Sequence, residues 1–207
     1  MTTAIEEQQV LDTIDRWVEK EVRPIARKFD QADEYPADLV EQMKELGLFG
    51  ATIGPQWGGL GLSASTYARV VTRIAQAWMA PTGIFNSHLI MAACVERNGT
   101  EEQKRTWLPR FATGELRGGI GLTEPNAGTD LQAIRTLARR DGDHYVLDGT
   151  KTWITNGVYG TCFAILTKTR PDAEPRHAGM SMFIAEKGPG FTVGRKIRKL
   201  GYRSIDS

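Results

Sequence analysis

The placement of glycine constrains this chain more than any other feature of its sequence. The 207 residues include 22 glycines, of which none precedes Gly47 and fourteen lie between Gly114 and Gly201. Glycine weakens helices and is frequent in turns. The distribution therefore predicts a boundary near Gly114, with a helical unit before it and a β-rich unit after it.

Apolar residues recur at helical spacing through the first unit. Five helices are predicted, at residues 10–22, 37–46, 65–79, 81–97 and 101–113. Gly47 would end the second helix, and Thr100 followed by Gln103 predicts a capping box that opens the fifth. We expect this unit to fold as an all-helical bundle.

Apolar runs in the second unit have the length of strands and are separated by turn signals such as Asp141-Gly142-Asp143. Seven strands are predicted, over Leu116–Thr123, Ile134–Ala138, His144–Leu147, Thr152–Thr155, Thr161–Thr167, Met180–Ala185 and Phe191–Val193. No long helix lies between them, which argues against a parallel Rossmann unit. The expected fold class is α+β: an all-α helical domain followed by a small antiparallel β-barrel or sandwich.

Composition excludes several classes of function. Twenty-six Lys and Arg against 25 Asp and Glu leave a net charge of +1, so binding of nucleic acid or of an anionic membrane has no electrostatic support. The longest apolar run, Leu89–Val95, is far shorter than the roughly 20 residues of a membrane helix, and the N-terminus lacks a signal-peptide pattern. The expectation is a cytoplasmic protein with no nucleic-acid or membrane partner.

The cysteines and histidines are dispersed in the sequence. Cys94 and Cys162 form no CxxC pair, which favours small core residues in a reduced protein. His88, His144 and His177 have no carboxylate or cysteine at ligand spacing, so no metal site is predicted.

Two segments of the second unit carry candidate chemistry. In Leu122–Asp130, a predicted strand runs into a turn that exposes backbone N–H groups between the hydroxyls of Thr123 and Thr129. The segment Lys151–Gly157 predicts a second strand with the Trp153 ring and the Thr155 hydroxyl on one face. Such groups suit a planar heterocycle or a pyrophosphate. Taken singly, each segment is equally typical of a hairpin, and an isolated tryptophan is more often a core residue.

Together the two segments resemble the fingerprints of the acyl-CoA dehydrogenase family. Further motifs follow in family order and extend the resemblance over essentially the whole chain: Glu34–Pro36, Glu45–Leu48, Gly58–Leu62, Gly99–Lys104, Gly188–Phe191 and Lys199–Gly201. The family commonly has Gly at the position of Asn126 and Ser at that of Thr129. Asn tolerates a left-handed turn and Thr keeps the hydroxyl, so we expect the turn geometry to be retained.

The resemblance implies an N-terminal helical domain at residues 1–114 and a flavin-binding middle β-domain at residues 115–207, with FAD as cofactor. The residues that would contact the flavin are Ile120, Gly121, Leu122, Thr123, Gly128, Thr129, Trp153, Ile154 and Thr155. Trp153 would pack on the isoalloxazine with the Thr155 hydroxyl near N5, and Thr129 would also contact substrate. The catalytic base is expected to be a glutamate beyond Ser207, outside a chain that is an incomplete piece of the family fold.

The function implied by the resemblance is FAD-dependent α,β-dehydrogenation of an acyl-CoA thioester in fatty acid metabolism. An electron-transfer flavoprotein is the expected electron acceptor, and the full-length protein is expected to be a homodimer or homotetramer. This chain alone is expected to be inactive. Three alternatives stay open: a flavin-dependent oxidase or monooxygenase on the same scaffold, a non-catalytic interaction module, and a partial gene product.

Overall fold

The computed structural model describes residues 4–207. Its first half is helical, as predicted. Six α-helices are present in the described part of this half: α1 Ala4–Trp17, α2 Arg23–Ala32, α3 Ala37–Glu45, α4 Ala64–Ala77, α5 Met79–Asn98 and α6 Glu101–Ala112. A π-helical turn, Val18–Val22, continues α1 into α2, so the helix predicted to end at residue 22 runs on to Ala32.

The helix ends follow the signals in the sequence. Gly47 comes directly after the last turn of α3 and adopts a positive φ of 71°. Thr100 accepts a hydrogen bond from the Gln103 N–H while the Gln103 side chain accepts one from Thr100 N, which confirms the capping box. Helix α5 lies at the centre of the bundle, and most of its first fourteen residues are buried.

The second half contains one five-stranded sheet. Its strands are β1 Gly118–Gly121, β2 Leu137–Asp141, β3 His144–Asp148, β4 Cys162–Lys168 and β5 Met180–Glu186. The order is β1-β4-β2-β3, and β5 also pairs with β4. The predicted class, a helical domain followed by a β domain, is confirmed.

The sheet is mixed, which corrects the prediction of an antiparallel one. β4 runs parallel to β1, with Gly118 opposite Cys162, and parallel to β2, with Leu137 opposite Lys168. The β2–β3 and β4–β5 pairs are antiparallel. The chain passes through about forty residues between β1 and β4, which allows it to return and enter β4 in the direction of β1.

Two of the predicted strands do not form. Trp153 and Asn156 have φ values of 61° and 64°, so the backbone at Thr152–Thr155 cannot stay extended. Phe191–Val193 follows Gly190, where φ is 85°, and the Phe191 N–H donates to the Gly188 carbonyl in a turn. The Trp153 ring and the Thr155 hydroxyl are therefore not brought to one face by a strand.

Strand β1 lies against its neighbours through its main chain. A Cβ at Gly118 would lie 1.6 Å from the Cys162 carbonyl oxygen of β4. A Cβ at Gly119 would lie 2.7 Å from Ser87 Oγ of α5 and 2.8 Å from the Thr155 carbonyl oxygen. Only glycine fits at these two positions, so β1 is closely enclosed by the sheet, by α5 and by residue 155.

The cysteines form no disulfide in the described structure. Both cysteines are free thiols, with Cys162 buried and Cys94 half-buried. Residues 4–207 contain no cluster of three or more His, Cys, Asp or Glu able to hold a metal ion. None of the helices in this range combines the length and apolar character needed to span a membrane.

Candidate functional site

The loop after β1 is a closed turn. The N–H of Glu124 donates to the Ala127 carbonyl at 2.8 Å, and the N–H of Ala127 donates to the Glu124 carbonyl at 3.1 Å. The Asn126 side chain donates to the Ala133 carbonyl at 3.0 Å, and Asp130 Oδ1 accepts from Gln132 N at 3.1 Å. The turn predicted at Pro125–Gly128 is therefore present and is held from both sides.

The structure brings the two predicted segments together at the end of β1. The Thr152 N–H donates to the Thr123 carbonyl at 2.9 Å. Lys151 Nζ donates to the Leu122 carbonyl at 3.0 Å and to the Glu124 carboxylate at 2.8 Å. Segments 27 or more residues apart in sequence therefore form one loop cluster.

Glu124 and Lys151 form a buried ion pair beneath this cluster. Their side chains are 2% and 10% exposed. The Glu124 carboxylate also accepts the N–H of Arg135 at 2.6 Å, the N–H of Thr136 at 2.9 Å and the Thr136 hydroxyl. The pairing of these two residues was not evident from the sequence, although both lie inside the quoted motifs.

These donors decide the charge of Glu124. Burial alone would raise the pKa of its carboxyl, but the hydrogen bonds from Lys151, Thr136 and Arg135 outweigh burial and lower that pKa to about 2. Glu124 is thus ionised at neutral pH and fully occupied by donors. It stabilises the loop and is unsuited to serve as a general base.

Several predicted site residues present groups that the protein itself does not use. Within residues 4–207, the hydroxyls of Thr123, Thr129 and Thr155 have no hydrogen-bond partner. Trp153 is 65% exposed, which is unusual for the largest aromatic residue. A Cβ at Gly128 would meet nothing within 4 Å. This combination of free hydroxyls, open backbone and an exposed ring fits a planar heterocycle.

The remaining predicted residues differ in their exposure. Ile120 is partly buried and packs against the hydrophobic core, and Gly121 is buried beside Lys151. Leu122 and Ile154 are half-buried, whereas Gly128 and Thr129 are exposed at the far end of the turn. In the described part of the chain, no hydrogen bond joins Thr129 to the segment 151–155.

Two further residues support the site and were missed by the sequence analysis. Asn156 is buried, and its side-chain amide donates to the Ile84 and Gly118 carbonyls at 2.9 and 2.7 Å. Asp206 is buried as well, and its carboxylate accepts the Val158 N–H. Burial raises the pKa of Asp206, against the opposing effects of that N–H and of nearby lysines. The only available signal was the tolerance of Asn for left-handed backbone.

One open groove of the described structure lies elsewhere. It has a volume of about 730 Å³ and is lined by residues of β2, β3 and β5, including Arg139, Tyr145 and Phe183. None of the predicted site residues lines it. We assign the candidate site by its chemical groups, because volume alone does not indicate chemistry.

The family model for the acyl-CoA dehydrogenase N-terminal domain matches residues 4–115, and the model for the middle domain matches residues 119–207. The chain therefore belongs to the acyl-CoA dehydrogenase family, which confirms the resemblance. The short-chain specific acyl-CoA dehydrogenase of Clostridium acetobutylicum is 37% identical over 201 residues, covering 96% of this chain and 52% of that protein.

Solved structures share the fold. One from Acidaminococcus fermentans, described as an electron transferring flavoprotein in flavin-based electron bifurcation, is 32% identical with a TM-score of 0.92, covering 100% of this chain and 54% of that one. A glutaryl-CoA dehydrogenase from Mycobacterium smegmatis in complex with FADH2 is 30% identical with a TM-score of 0.82, covering 99% and 51%. The chain thus spans about half the length of these relatives.

Proposed function

We propose that this chain forms the flavin-binding part of an FAD-dependent enzyme that dehydrogenates an acyl-CoA thioester between its α and β carbons. The observation that carries the proposal is the joining of the Leu122–Asp130 loop to the Lys151–Thr155 segment with three free hydroxyls and an exposed ring around it. Family membership and the FADH2 complex of the Mycobacterium smegmatis relative support FAD as the ligand.

The proposed roles follow from the groups that are free. The backbone from Ile120 to Leu122 and the Thr123 hydroxyl would hold the edge of the flavin ring, with Gly128 leaving room for close approach. Trp153 would stack on the ring, with Ile154 and Thr155 beside it. Thr129, at the exposed end of the turn, would contact both cofactor and substrate. The domain division at residues 114 and 115 belongs to the same proposal.

FAD, when bound, supplies the redox chemistry by accepting a hydride from the β carbon. The residues of this chain bind and orient the reactants. A carboxylate must remove the α proton, and Glu124 is excluded because its oxygens are buried and occupied. We propose that a glutamate beyond Ser207 is the base. An electron-transfer flavoprotein as acceptor and a homodimer or homotetramer as assembly complete the proposal.

Removal of the Trp153 ring tests the cofactor assignment. Trp153→Ala is expected to weaken FAD binding about ten-fold, since an aromatic stack contributes on the order of 1–2 kcal/mol. Thr155→Ala is expected to weaken it about five-fold by loss of one hydrogen bond. Quenching of flavin fluorescence during titration measures both. Tyr145→Ala removes an exposed ring from the groove that no predicted site residue lines, and it should leave the affinity unchanged. Equal affinity in all variants contradicts the assignment.

Turnover by the 207-residue chain tests the assignment of the base. With FAD, a panel of acyl-CoA thioesters and an artificial electron acceptor, we expect no dehydrogenation, because the buried carboxylate at the loop cluster cannot accept a proton. Turnover that is lost in Asp130→Asn or Glu124→Gln would contradict this expectation. Oxygen consumption in the absence of the acceptor would instead favour the oxidase alternative.

A further inference from the structure

Asn156 lies where the helical half, strand β1 and the segment Lys151–Thr155 meet, and this segment is termed the flavin segment below. Its side chain donates to the Ile84 carbonyl of α5, 72 residues away, and to the Gly118 carbonyl of β1, 38 residues away. We propose that Asn156 is a positioning residue, which sets the place of Trp153–Thr155 relative to the loop that follows β1. This inference rests on the proposed flavin site.

The chemistry of the position calls for asparagine. The residue has a φ of 64°, which Asn adopts more readily than other side-chain-bearing residues. Both hydrogen bonds use the two N–H groups of one side-chain NH₂ toward two carbonyl oxygens. Aspartate would keep the backbone preference but place a carboxylate oxygen opposite those carbonyls. Glycine would keep the backbone conformation and lose both bonds.

Contacts on the C-terminal side of Asn156 hold the same turn. The Asn156 N–H donates to the Asp206 carbonyl at 3.3 Å, and the Gly160 N–H donates to the Asn156 carbonyl at 2.7 Å. Tyr159 stacks on Tyr35 of the helical half, with ring centroids 3.8 Å apart. The turn 156–160 is thereby attached to elements outside the flavin segment.

The flavin segment itself has few attachments of its own. Thr155 has no side-chain hydrogen bond, and the Trp153 ring is largely in solvent. The segment is held at its start by Thr152 N and Lys151 and at its end by Asn156. The close approach of the Thr155 carbonyl to Gly119 of β1 requires that this end be held accurately. Loss of the two hydrogen bonds donated by the Asn156 side chain should therefore displace Trp153 and Thr155 before it affects α5 or the sheet.

Hydrogen exchange without cofactor tests this directly. Asn156→Asp is expected to raise amide exchange about ten-fold in peptides covering residues 152–160, with peptides from α5 and β4 unchanged. Asn156→Gly should give a smaller rise. Asn98→Asp is the matched control, because among the described residues the Asn98 side-chain amide donates only to the Cys94 carbonyl of its own helix. If Asn156→Asp does not fold, amide exchange at residues 152–160 in Asn156→Gly provides the test. Unchanged exchange at 152–160 overturns the inference.

Flavin spectroscopy separates positioning from general stability. Asn156→Asp is expected to bind FAD about ten-fold more weakly and, at saturation, to show an altered visible circular dichroism of the flavin. A wild-type spectrum and affinity, despite a lowered melting temperature, would mean a merely structural role and overturn the inference. Failure of the unaltered chain to bind FAD contradicts the proposed function, and the exchange experiment then decides the role of Asn156 alone.

Discussion

Replacing Lys151 with methionine is expected to lower the free energy of unfolding by about 3–5 kcal/mol. The substitution removes the cation from Glu124, whose side chain is only 2% exposed, and leaves a buried carboxylate charge. The three other donors to Glu124, from Arg135 and Thr136, place the expected loss near the lower end of that range. Urea denaturation at pH 7, followed by far-ultraviolet circular dichroism, gives the free energy directly.

A surface ion pair supplies the control for this substitution. Lys104 pairs with Glu101 on α6 at 3.0 Å, but the Glu101 side chain is 62% exposed. Lys104→Met should therefore cost less than about 1 kcal/mol. The double variant Glu124→Gln with Lys151→Met should recover part of the loss, because no charge remains buried. A loss in Lys151→Met as small as that in Lys104→Met would show that the buried pair does not stabilise the loop.

Acidification from pH 7.5 to pH 5 is expected to remove about 2 kcal/mol of stability through His88 alone. Burial lowers the pKa of His88 to about 4 from its ordinary value of 6.5, and Nε2 donates to the Phe111 carbonyl at 3.1 Å. Between pH 6.5 and pH 4, His88 is protonated in the unfolded chain but stays neutral in the folded chain. Stability is therefore complete above pH 6.5 and falls continuously toward pH 4.

Variants isolate the contribution of His88. His88→Gln retains an N–H donor for Phe111 and should flatten the dependence of the unfolding free energy on pH between 7.5 and 5. His177→Gln, at an exposed position, should leave the pH dependence of the unfolding free energy as it is in the unaltered chain. Glu124 acts in a lower window, since its stabilisation is present above pH 4.5 and is lost only toward pH 2. Equal pH slopes in His88→Gln and the unaltered chain would contradict the assignment.

The helices were predictable because their determinants are local. The periodicity of α4 and α5, the capping box at Thr100 and the glycine after α3 each involve residues within one or two turns. The continuation of α1 into α2 was missed because the π-helical turn keeps Val18 and Val22 buried while shifting the pattern beyond it.

The errors in the β half have long-range causes. Whether β1 and β2 run parallel or antiparallel to β4 depends on the path of the intervening chain, which no short pattern records. The alternation at Thr152–Thr155 is typical of a strand, yet the hydrogen bonds of Asn156 to Ile84 and Gly118 favour a turn with positive φ. Tertiary contacts therefore override the local preference of a tryptophan for extended backbone.

For the candidate site, the motifs indicated which two segments carry candidate chemistry but not which residues hold those segments in place. The turn predicted at Pro125–Gly128 is present, and Thr152 bonds to Thr123, which precedes that turn. The Glu124–Lys151 pair and Asp206 are buried by the tertiary fold. Local sequence patterns do not show which charged residues the fold will bury. The cofactor roles of the nine predicted contact residues stay predictions.

The main-chain contacts of β1 determine how the candidate site responds to movement of the surrounding protein. At Gly118 and Gly119 no side chain separates β1 from the backbone of β4 or from the backbone of residue 155, whereas α5 approaches Gly119 through the Ser87 hydroxyl. Side chains can absorb a small displacement by changing rotamer, whereas backbone in direct contact passes it on. A shift of β4 or of residue 155 would therefore be passed on to β1 and to the turn that follows it, whereas the Ser87 side chain can absorb part of a shift of α5.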